Sequence, residues 1–430
     1  MAHELLTKQN PYHLEMIQTK KYKTNNIVIK LKEPLNKETI TKRALLPSLL
    51  RNSTKTLHTR QAFARELDEL YGAVLRTDTA KKGDHHIISL RLELPNEKYL
   101  SADEQLLERA IKLLSDTLYD ANVTNNSFDE AIVQREKETL KNRITSVQDD
   151  KMAFANQRLI DEMCSEELFS VHTLGYAEDL RAISGKKMFD YYKHVLETNE
   201  ITIYFVGDFD GIDLERLVGD NVRAKKASEH IRYESSAREN VSLRKEAQTI
   251  IETEPIHQAK LHLGYRTGVT IADEHYASLQ VFNGLFGGFP HSKLFMNVRE
   301  KHSLAYYAAS RIEGHKGLMI VMSGIASEDY EQARQIIEQQ LEELRAGEIT
   351  EQLIAETKQL LVHSVKNTLD NPQGAIEFDY QYRMNNKSCS PEQYIEQINQ
   401  VTKNDIIARA QEVTLDTVYL LTSESSDVDE

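Results

Sequence analysis

The sequence predicts an α+β protein built from two tandem homologous domains, each a mostly antiparallel sheet packed with helices. Its 430 residues are enough for two or three domains of about 150 residues each. With 40% hydrophobic and 28% charged residues, the composition is typical of a globular chain. The same order of predicted elements occurs in both halves of the chain, which indicates an internal duplication.

The first copy shows a strand followed by two helices. Residues His85–Leu94 alternate in polarity as a half-buried strand does, and its apolar face carries four residues: Ile88, Leu90, Leu92 and Leu94. Ser101 and Glu104 form a predicted capping box before the first helix, and Ser127 with Glu130 form another before the longer second helix. These signals predict where both helices begin.

The second copy repeats this order. The strand Gly317–Ala326 is followed by a helix and then by a long helix over about Thr350–Leu369. The strand Ile201–Phe209 ends the first copy and is predicted to pair in its sheet, while Val418–Leu421 closes the second sheet. The matching order predicts that both copies have the same fold.

A charged stretch between the copies predicts the domain limits. Residues 223–247 are rich in charge and almost without an apolar period, which is typical of a linker. We therefore expect an N-terminal domain at 1–222, a charged linker at 223–247 and a C-terminal domain at 248–430. Ser390 and Gln393 form a capping box that starts a closing helix of the second domain.

Charge, cysteine content and hydropathy exclude several classes of function. The 53 basic and 67 acidic residues give a net charge of −14, which opposes attraction to nucleic acid and to anionic lipid. Cys164 and Cys389 cannot supply a disulfide framework. No segment approaches the roughly 18 apolar residues of a membrane span, and no secretory signal is visible. We expect a cytoplasmic protein that has neither nucleic acid nor membrane as partner.

Motifs for metal binding and nucleophilic catalysis are absent from the sequence. It contains no zincin or inverzincin pattern, no G-x-S-x-G elbow and no P-loop. His85 and His86 are adjacent on a strand, and His257 and His262 are five residues apart, so each pair points to opposite faces. We expect none of the four to bind metal, and we expect His85 and His86 at the surface or at a loop end.

Two other clusters have more than one interpretation. Gly284, Gly287 and Gly288 form a GLFGG cluster that favours a tight turn or close helix packing, with a peptide-binding loop as the alternative. Arg299 can bind a carbonyl or carboxylate with two hydrogen bonds, and Tyr306 can donate a hydrogen bond to an oxyanion. The alternative for this pair is a solvated charge beside a core aromatic residue.

The motif LFMNVREKHSLAY, from Leu294 to Tyr306, resembles the C-terminal motif of the M16 peptidases, the family of pitrilysin and the mitochondrial processing peptidase. The likeness is strongest to short bacterial members. The FVGDF strand, the segment Leu174–Ser184 and the GLFGG turn follow in the order that this family shows. The resemblance implies a clamshell, of which this chain forms one half.

The family's zinc site is missing from this sequence. M16 members have an inverted HxxEH motif early in the first copy and a third ligand, a glutamate, on the long helix that follows. With the NSTKT segment as the landmark, the ligand and base positions of the motif fall on three other residues: Ala44, Pro47 and Ser48. The third-ligand position falls on Asn142 or Arg143. The resemblance therefore implies that this chain binds no metal.

Arg299 and Tyr306 match the family's arginine and tyrosine pair, which the resemblance implies clamp the peptide and stabilise the tetrahedral intermediate of hydrolysis. In heterodimeric M16 enzymes one chain supplies zinc and the other supplies this pair. The resemblance implies a subunit that is inactive alone and acts in trans. Its partners would be a zinc-bearing M16 subunit and a peptide substrate, which would contact Gly284, Gly287 and Gly288.

No cofactor is expected in this chain, since the zinc would lie in the partner subunit. Two alternatives remain open. The first is a structural or peptide-binding M16 homologue that acts only as a scaffold. The second is an autonomous peptidase with unconventional ligands, although no constellation of histidines supports it.

Overall fold

Two β-sheets organise the computed structural model, which describes residues 2–7, 12–100, 105–222, 244 and 246–423. The strands, in chain order, are β1 (Ala2–Thr7), β2 (His13–Gln18), β3 (Thr24–Pro34), β4 (Val74–Lys82), β5 (His85–Pro95), β6 (Val123–Thr124), β7 (Ser127–Phe128), β8 (Glu200–Gly207), β9 (Gln248–Thr253), β10 (Ala259–Arg266), β11 (Ala305–Glu313), β12 (Leu318–Ile325) and β13 (Thr414–Thr422).

Helices pack against both sheets. In chain order they are α1 (Ile40–Leu50), α2 (Arg60–Glu69), α3 (Leu106–Tyr119), α4 (Glu130–Thr145), α5 (Lys151–Met163), α6 (Gly185–Thr198), α7 (Leu214–Asn221), α8 (Tyr276–Asn283), α9 (Tyr330–Arg345), α10 (Glu351–Thr368), α11 (Pro372–Arg383), α12 (Pro391–Gln400) and α13 (Lys403–Glu412). Two π-helical segments, Gly284–Gly288 and Phe295–Lys301, follow α8. In the described residues, no helix combines the length and the apolar character needed to cross a bilayer.

The two sheets have matching topologies. The strand order is β1-β2-β8-β3-β5-β4 in the first sheet and β11-β12-β10-β13-β9 in the second. Each sheet contains one parallel pair, β2 with β8 and β9 with β13, and its other pairs are antiparallel. When each sheet is followed from its parallel pair to its opposite edge, the order is β2-β8-β3-β5-β4 in the first and β9-β13-β10-β12-β11 in the second. The five strands therefore correspond one to one. The predicted duplication of a mostly antiparallel α+β domain is therefore confirmed.

The predicted strands lie where the repeat requires them. The predicted strand His85–Leu94 is β5, and all four residues of its apolar face are buried in the core of the first domain. The predicted strand Ile201–Phe209 is β8, which pairs with β2 and β3 in the interior of the first sheet. Val418–Leu421 lies in β13, which pairs with both β10 and β9 and is therefore an interior strand of the second sheet.

The described chain divides into two compact units whose limits differ from the predicted ones. The first contains residues up to Ser146 and residues 171–222, and the second contains Val147–Ser170 and the residues from Arg244 onward. The segment that includes α5 thus belongs with the second sheet, not with the predicted domain 1–222. Most of the predicted linker, residues 223–247, lies outside the described residues.

Apolar packing explains why α5 belongs to the second unit. The helix lies across β10 and β13, where Ala155 and Leu159 pack against three buried residues: Ile320, Tyr419 and Leu421. The guanidinium of Arg158 bonds the Glu252 carboxylate on β9, with a shortest distance of 2.5 Å. Burial of a leucine side chain such as that of Leu159 is worth about 2 kcal/mol, so α5 is held by its amphipathic face.

The helix cap predicted in the second domain is confirmed, and the one predicted at Ser127 in the first domain is not. Ser390 and Gln393 form the predicted capping box of α12. The predicted box of Ser127 with Glu130 is wrong, because Asp129 is the N-cap of α4 and accepts from the backbone of the first turn. Ser127 lies instead in the β6–β7 hairpin. The predicted box at Ser101 lies outside the described residues.

Candidate functional site

Arg299 and Tyr306 lie on consecutive elements of the second unit. Arg299 is in the π-helical segment Phe295–Lys301, and Tyr306 is near the start of β11. The turn between them is closed by two backbone hydrogen bonds of 3.0 Å, from Ser303 N–H to the Arg299 carbonyl and from Leu304 N–H to the Val298 carbonyl. This turn fixes the backbone that carries both residues.

The turn requires an unusual backbone conformation. Ser303 has a φ of 54°, in the left-handed region that non-glycine residues seldom occupy. Serine has a small side chain, and the two hydrogen bonds around it over-determine the conformation. Such strained residues are frequent at functional sites, so the turn is consistent with a site that holds Arg299 in place.

Tyr306 is displaced from the sheet by a β-bulge. Ala305 pairs with Ile325 and Tyr307 pairs with Gly324, so Tyr306 is the extra residue on β11. Its side chain is 76% exposed, the largest exposed fraction among the large hydrophobic residues that the structure describes. Bulges re-aim side chains next to active sites, and this one presents the phenol of Tyr306 to solvent.

The Arg299 guanidinium is also accessible. Its side chain is 44% exposed, and the carboxylate of the exposed Glu300 lies 3.7 Å from its Nε. The guanidinium carbon lies 4.6 Å from the centre of the Phe295 ring, which supports it from one side. No hydrogen bond between Arg299 and Tyr306 occurs in the described part of the chain. Both groups can therefore accept an external partner.

Two polar bridges anchor the Arg299 segment to α9. The ammonium of Lys293 lies 2.5 Å from the Glu343 carboxylate, and Asn297 Nδ2 donates to Gln340 Oε1 at 2.7 Å. Partial burial is the largest influence and acts to raise the pKa of Glu343, but the hydrogen bond and charge of Lys293, together with hydrogen bonds from two glutamines, outweigh it and the pKa is lowered. No sequence motif marks these anchors. The available signal was Gln340, a polar residue on the apolar face of α9, where it is 3% exposed.

Two of the three glycines of the GLFGG cluster are packing residues. A Cβ on Gly287 would lie 2.6 Å from the backbone nitrogen of Ser310 on β11, and one on Gly284 would lie 2.6 Å from the Thr357 methyl group of α10. Both glycines are buried, whereas Gly288 is exposed. The close-packing interpretation accounts for Gly284, which lies against α10, and for Gly287, which lies against the edge strand β11, and it leaves Gly288 accessible.

The positions that replace the zinc motif lie on α1. Ala44 is buried at 4%, Pro47 is buried inside the helix, and Ser48 is half-buried. None of these side chains is a metal ligand of zinc sites. Pro47 also has no N–H to donate to the carbonyl of Arg43 four residues earlier.

The neighbouring polar groups of α1 and α4 bond one another. The Asn52 side chain donates to the Ser48 carbonyl at 2.5 Å and contacts Glu136 of α4 at 3.4 Å. Arg135 binds both Asn52, at 2.7 Å, and Glu136, at 3.1 Å. Asn142 and Arg143, the predicted third-ligand positions, are both exposed on α4. Among the described residues no three His, Cys, Asp or Glu side chains form a potential metal site.

One histidine, His86, differs from the sequence prediction. His86 is not at the surface but fully buried, where its Nδ1 accepts from Arg43 at 3.0 Å and its Nε2 contacts the Thr173 carbonyl. Burial, and then the Arg43 charge, lower the pKa of His86 to about 3. His262 is also fully buried, on β10, while His257 is exposed. None of them shares a metal site in the described residues.

Sequence comparisons identify proteins that are similar to this chain. Residues 182–361 match the family model described as the Peptidase M16 inactive domain. Over 421 residues the chain is 40% identical to the probable inactive metalloprotease YmfF of Bacillus subtilis (strain 168), and the match covers 98% of each chain.

Solved structures show the same fold. A conserved protein from Enterococcus faecalis V583 superposes with a TM-score of 0.88 at 32% identity, over 97% of each chain. A peptidase M16 inactive domain from Pseudomonas fluorescens superposes with a TM-score of 0.77 over all of both chains, and at 15% identity this likeness shows the fold alone. The resemblance found in the sequence is confirmed. The chain therefore belongs to the M16 peptidase family, as an inactive metalloprotease homologue.

Proposed function

We propose that this chain is the metal-free subunit of a heterodimeric M16 zinc peptidase, and that Arg299 and Tyr306 act in trans at the partner's zinc site. The observation that supports it is the bulge at Tyr306, which presents a phenol that is 76% exposed seven residues after an accessible guanidinium. A solvent-exposed tyrosine displaced from its ladder has no role in the core of this domain.

The role of each side chain follows from its chemistry. The Arg299 guanidinium donates paired hydrogen bonds to a carbonyl or carboxylate of the peptide and holds it in register. The Tyr306 hydroxyl donates a hydrogen bond to the oxygen that becomes negative when water adds to the scissile carbonyl. Zinc and the activated water belong to the partner, because α1 and α4 of this chain offer no ligand set.

The proposal predicts a specific loss of turnover in the Tyr306→Phe variant. Removal of one oxyanion donor lowers turnover by about 10² to 10³-fold in other hydrolases. We expect a loss of this size in the chain mixed with its zinc-bearing partner, with assembly unchanged. Peptide hydrolysis by the mixture and by each chain alone, with and without chelator, measures the effect.

A matched control is Tyr99→Phe, which removes the hydroxyl of another exposed tyrosine, in the first unit. This variant should hydrolyse peptide at the rate of the unmodified pair. Equal turnover of Tyr306→Phe and Tyr99→Phe would reject the role of Tyr306 and favour the scaffold alternative. Hydrolysis by this chain alone would reject the division of labour between two subunits.

A further inference from the structure

Four polar side chains share one face of the second sheet, next to the Tyr306 bulge. Lys260 pairs with Gly324, which in turn pairs with Tyr307, so Lys260 and Tyr307 point to the same side. His262 is two residues after Lys260, and Arg311 is four residues after Tyr307, so both point to that side as well. The Lys260 ammonium lies 5.8 Å from the centre of the Tyr307 ring. This set is named the β10–β11 cluster.

The two cations of the β10–β11 cluster have no carboxylate partner in the described residues. The Lys260 ammonium bonds the neutral amide of Gln258, and the Arg311 guanidinium donates to the Asn156 amide oxygen at 2.8 Å. Neither lies within the 4.0 Å of an ion pair. The nearest acid is Asp150, whose carboxylate caps α5 and only partly offsets the lowering of the Lys260 pKa by burial. In a chain of net charge −14, two such cations indicate an external anion.

The two uncharged members of the cluster lack hydrogen-bond partners. Both ring nitrogens of His262 and the hydroxyl of Tyr307 are buried without a partner in the described residues. Burial, and then the charges of Arg311 and Lys260, lower the pKa of His262 to about 3, so the ring is neutral and has one donor to offer. Buried polar groups without partners cost free energy, which a bound acceptor would recover.

Access to the cluster runs over small or flexible side chains. His262 pairs with Met322, which pairs with Ala309, and this row lies between Tyr307 and Arg311 along the edge strand. Helix α5 packs on this same face and Met322 contacts its buried cluster, but Ala309 and Met322 are both partly exposed, so solvent reaches the face between α5 and the edge strand. Tyr307 and Arg311 are about 14 Å apart along the strand at about 3.4 Å per residue, a span that two long side chains can close over a small anion.

We infer that the β10–β11 cluster is a binding site for a carboxylate of the peptide, which Arg311 and Lys260 hold by charge and Tyr307 holds through its hydroxyl. The inference deepens the proposed function and rests on it, because it takes the ligand to be the peptide that is bound beside Tyr306. The carboxylate has two possible sources, an acidic side chain or the C-terminus of the peptide.

The test is equilibrium binding of fluorescently labelled peptides to the full chain without its partner. Three peptides differ only in their carboxylates: one contains glutamate and is amidated, one has glutamine in its place and is amidated, and one has glutamine and a free C-terminus. We expect at least one of the two acidic peptides to bind about tenfold more tightly than the neutral one. Which of them does so identifies the source of the carboxylate.

The variants Arg311→Gln and Lys260→Gln should each lower the affinity for the preferred acidic peptide about tenfold and leave the neutral peptide unaffected. Lys301→Gln is the matched control, since it removes an exposed positive charge outside the cluster and should change the affinity less than twofold. Thermal unfolding of each variant checks that the chain is folded.

Equal binding of all three peptides, the absence of binding by any of them, or an equal loss in Lys301→Gln would overturn the inference. These outcomes are separate from the test of Tyr306, because binding by this chain alone needs neither the partner nor its zinc. The chain could bind all peptides equally while the mixture of Tyr306→Phe with the partner hydrolyses peptide slowly. That combination would reject the carboxylate site and leave the proposed function standing.

Discussion

Arg43 explains why the replaced zinc motif and a buried histidine occur next to each other. Its guanidinium is 1% exposed and pairs with Glu33 at 2.9 Å, Asn199 at 2.8 Å and His86 at 3.0 Å. Because the group is fully bonded, α1 is fixed against β3 and β5 one residue before Ala44. The helix keeps its place in the fold while carrying none of the ligands.

Buried histidines make the stability of this chain sensitive to acid. The pKa of His262 is about 3 in the folded chain, against about 6.5 when unfolded, so the unfolded chain binds a proton first as pH falls. Stability is therefore lost from about pH 6.5 downward, until the native group also titrates near pH 3. Between pH 7 and pH 5, the free energy of unfolding of His262→Leu should fall by about 2 kcal/mol less than that of the unmodified chain. Urea unfolding at both pH values measures this difference.

The control for this effect is His257→Leu, because His257 is exposed just before the same strand. Its pH dependence of unfolding should equal that of the unmodified chain. An unchanged pH dependence in His262→Leu would show that this imidazole is protonated or open to solvent in the folded protein.

At the scale of elements, the π-helical glycine segment covers the edge of the second sheet. Gly287 lies against the backbone of Ser310, and the Ser310 hydroxyl donates to Asn283 Oδ1 at 2.8 Å. An unprotected edge strand invites pairing with other chains, so this cover has a structural function. It also fixes β11, on which Tyr306 and the β10–β11 cluster depend.

Gly287→Ala should destabilise the chain without a direct effect on peptide affinity. The new methyl group would lie 2.6 Å from a backbone atom, and overpacking of this kind costs about 1 to 3 kcal/mol. Thermal unfolding measures the cost. Gly288→Ala is the matched control, since its nearest contact is at 3.0 Å and belongs to an amide side chain. Lost peptide binding with unchanged stability in Gly287→Ala would favour the peptide-binding interpretation of the loop.

At the scale of the whole molecule, α5 shows that the structural units are not continuous in sequence. The helix follows α4 of the first unit directly and packs on the second sheet. A second unit cut at the predicted limit of residue 248 would therefore lack the side chains that cover one face of β10 and β13.

Leu159→Ala tests this dependence on α5. Leu159 is fully buried against the second sheet, and truncation of a buried leucine costs about 2 to 5 kcal/mol. We expect faster hydrogen exchange in the strands Ala259–Arg266 and Thr414–Thr422 and little change in β3 and β5. The control Leu360→Ala removes a leucine that is 38% exposed and should leave exchange unchanged. Equal exchange in both variants would contradict the role of α5.

The sequence was sufficient for the repeat and its strands because alternation along β5 and β12 is a local signal. It was not sufficient for α5, since an amphipathic helix does not show which sheet its apolar face will cover. Asn297 and Gln340 bond across 43 positions, and no periodic pattern connects residues at such a separation. The burial of His86 likewise depends on Arg43, a partner 43 positions earlier.

Because Tyr306 is the extra residue of the bulge on β11, the exposure of its phenol depends on the number of residues in the preceding turn. Two consecutive tyrosines lie at the bulge, and the extra residue sends the first to solvent and the second onto the sheet. Loss of one residue between Val298 and Tyr306 would restore regular pairing, with Tyr307 still opposite Gly324 and Tyr306 opposite Ile325, where the present residue Ala305 is buried. A single deletion in this turn can therefore conserve both tyrosines and still remove the exposed hydroxyl.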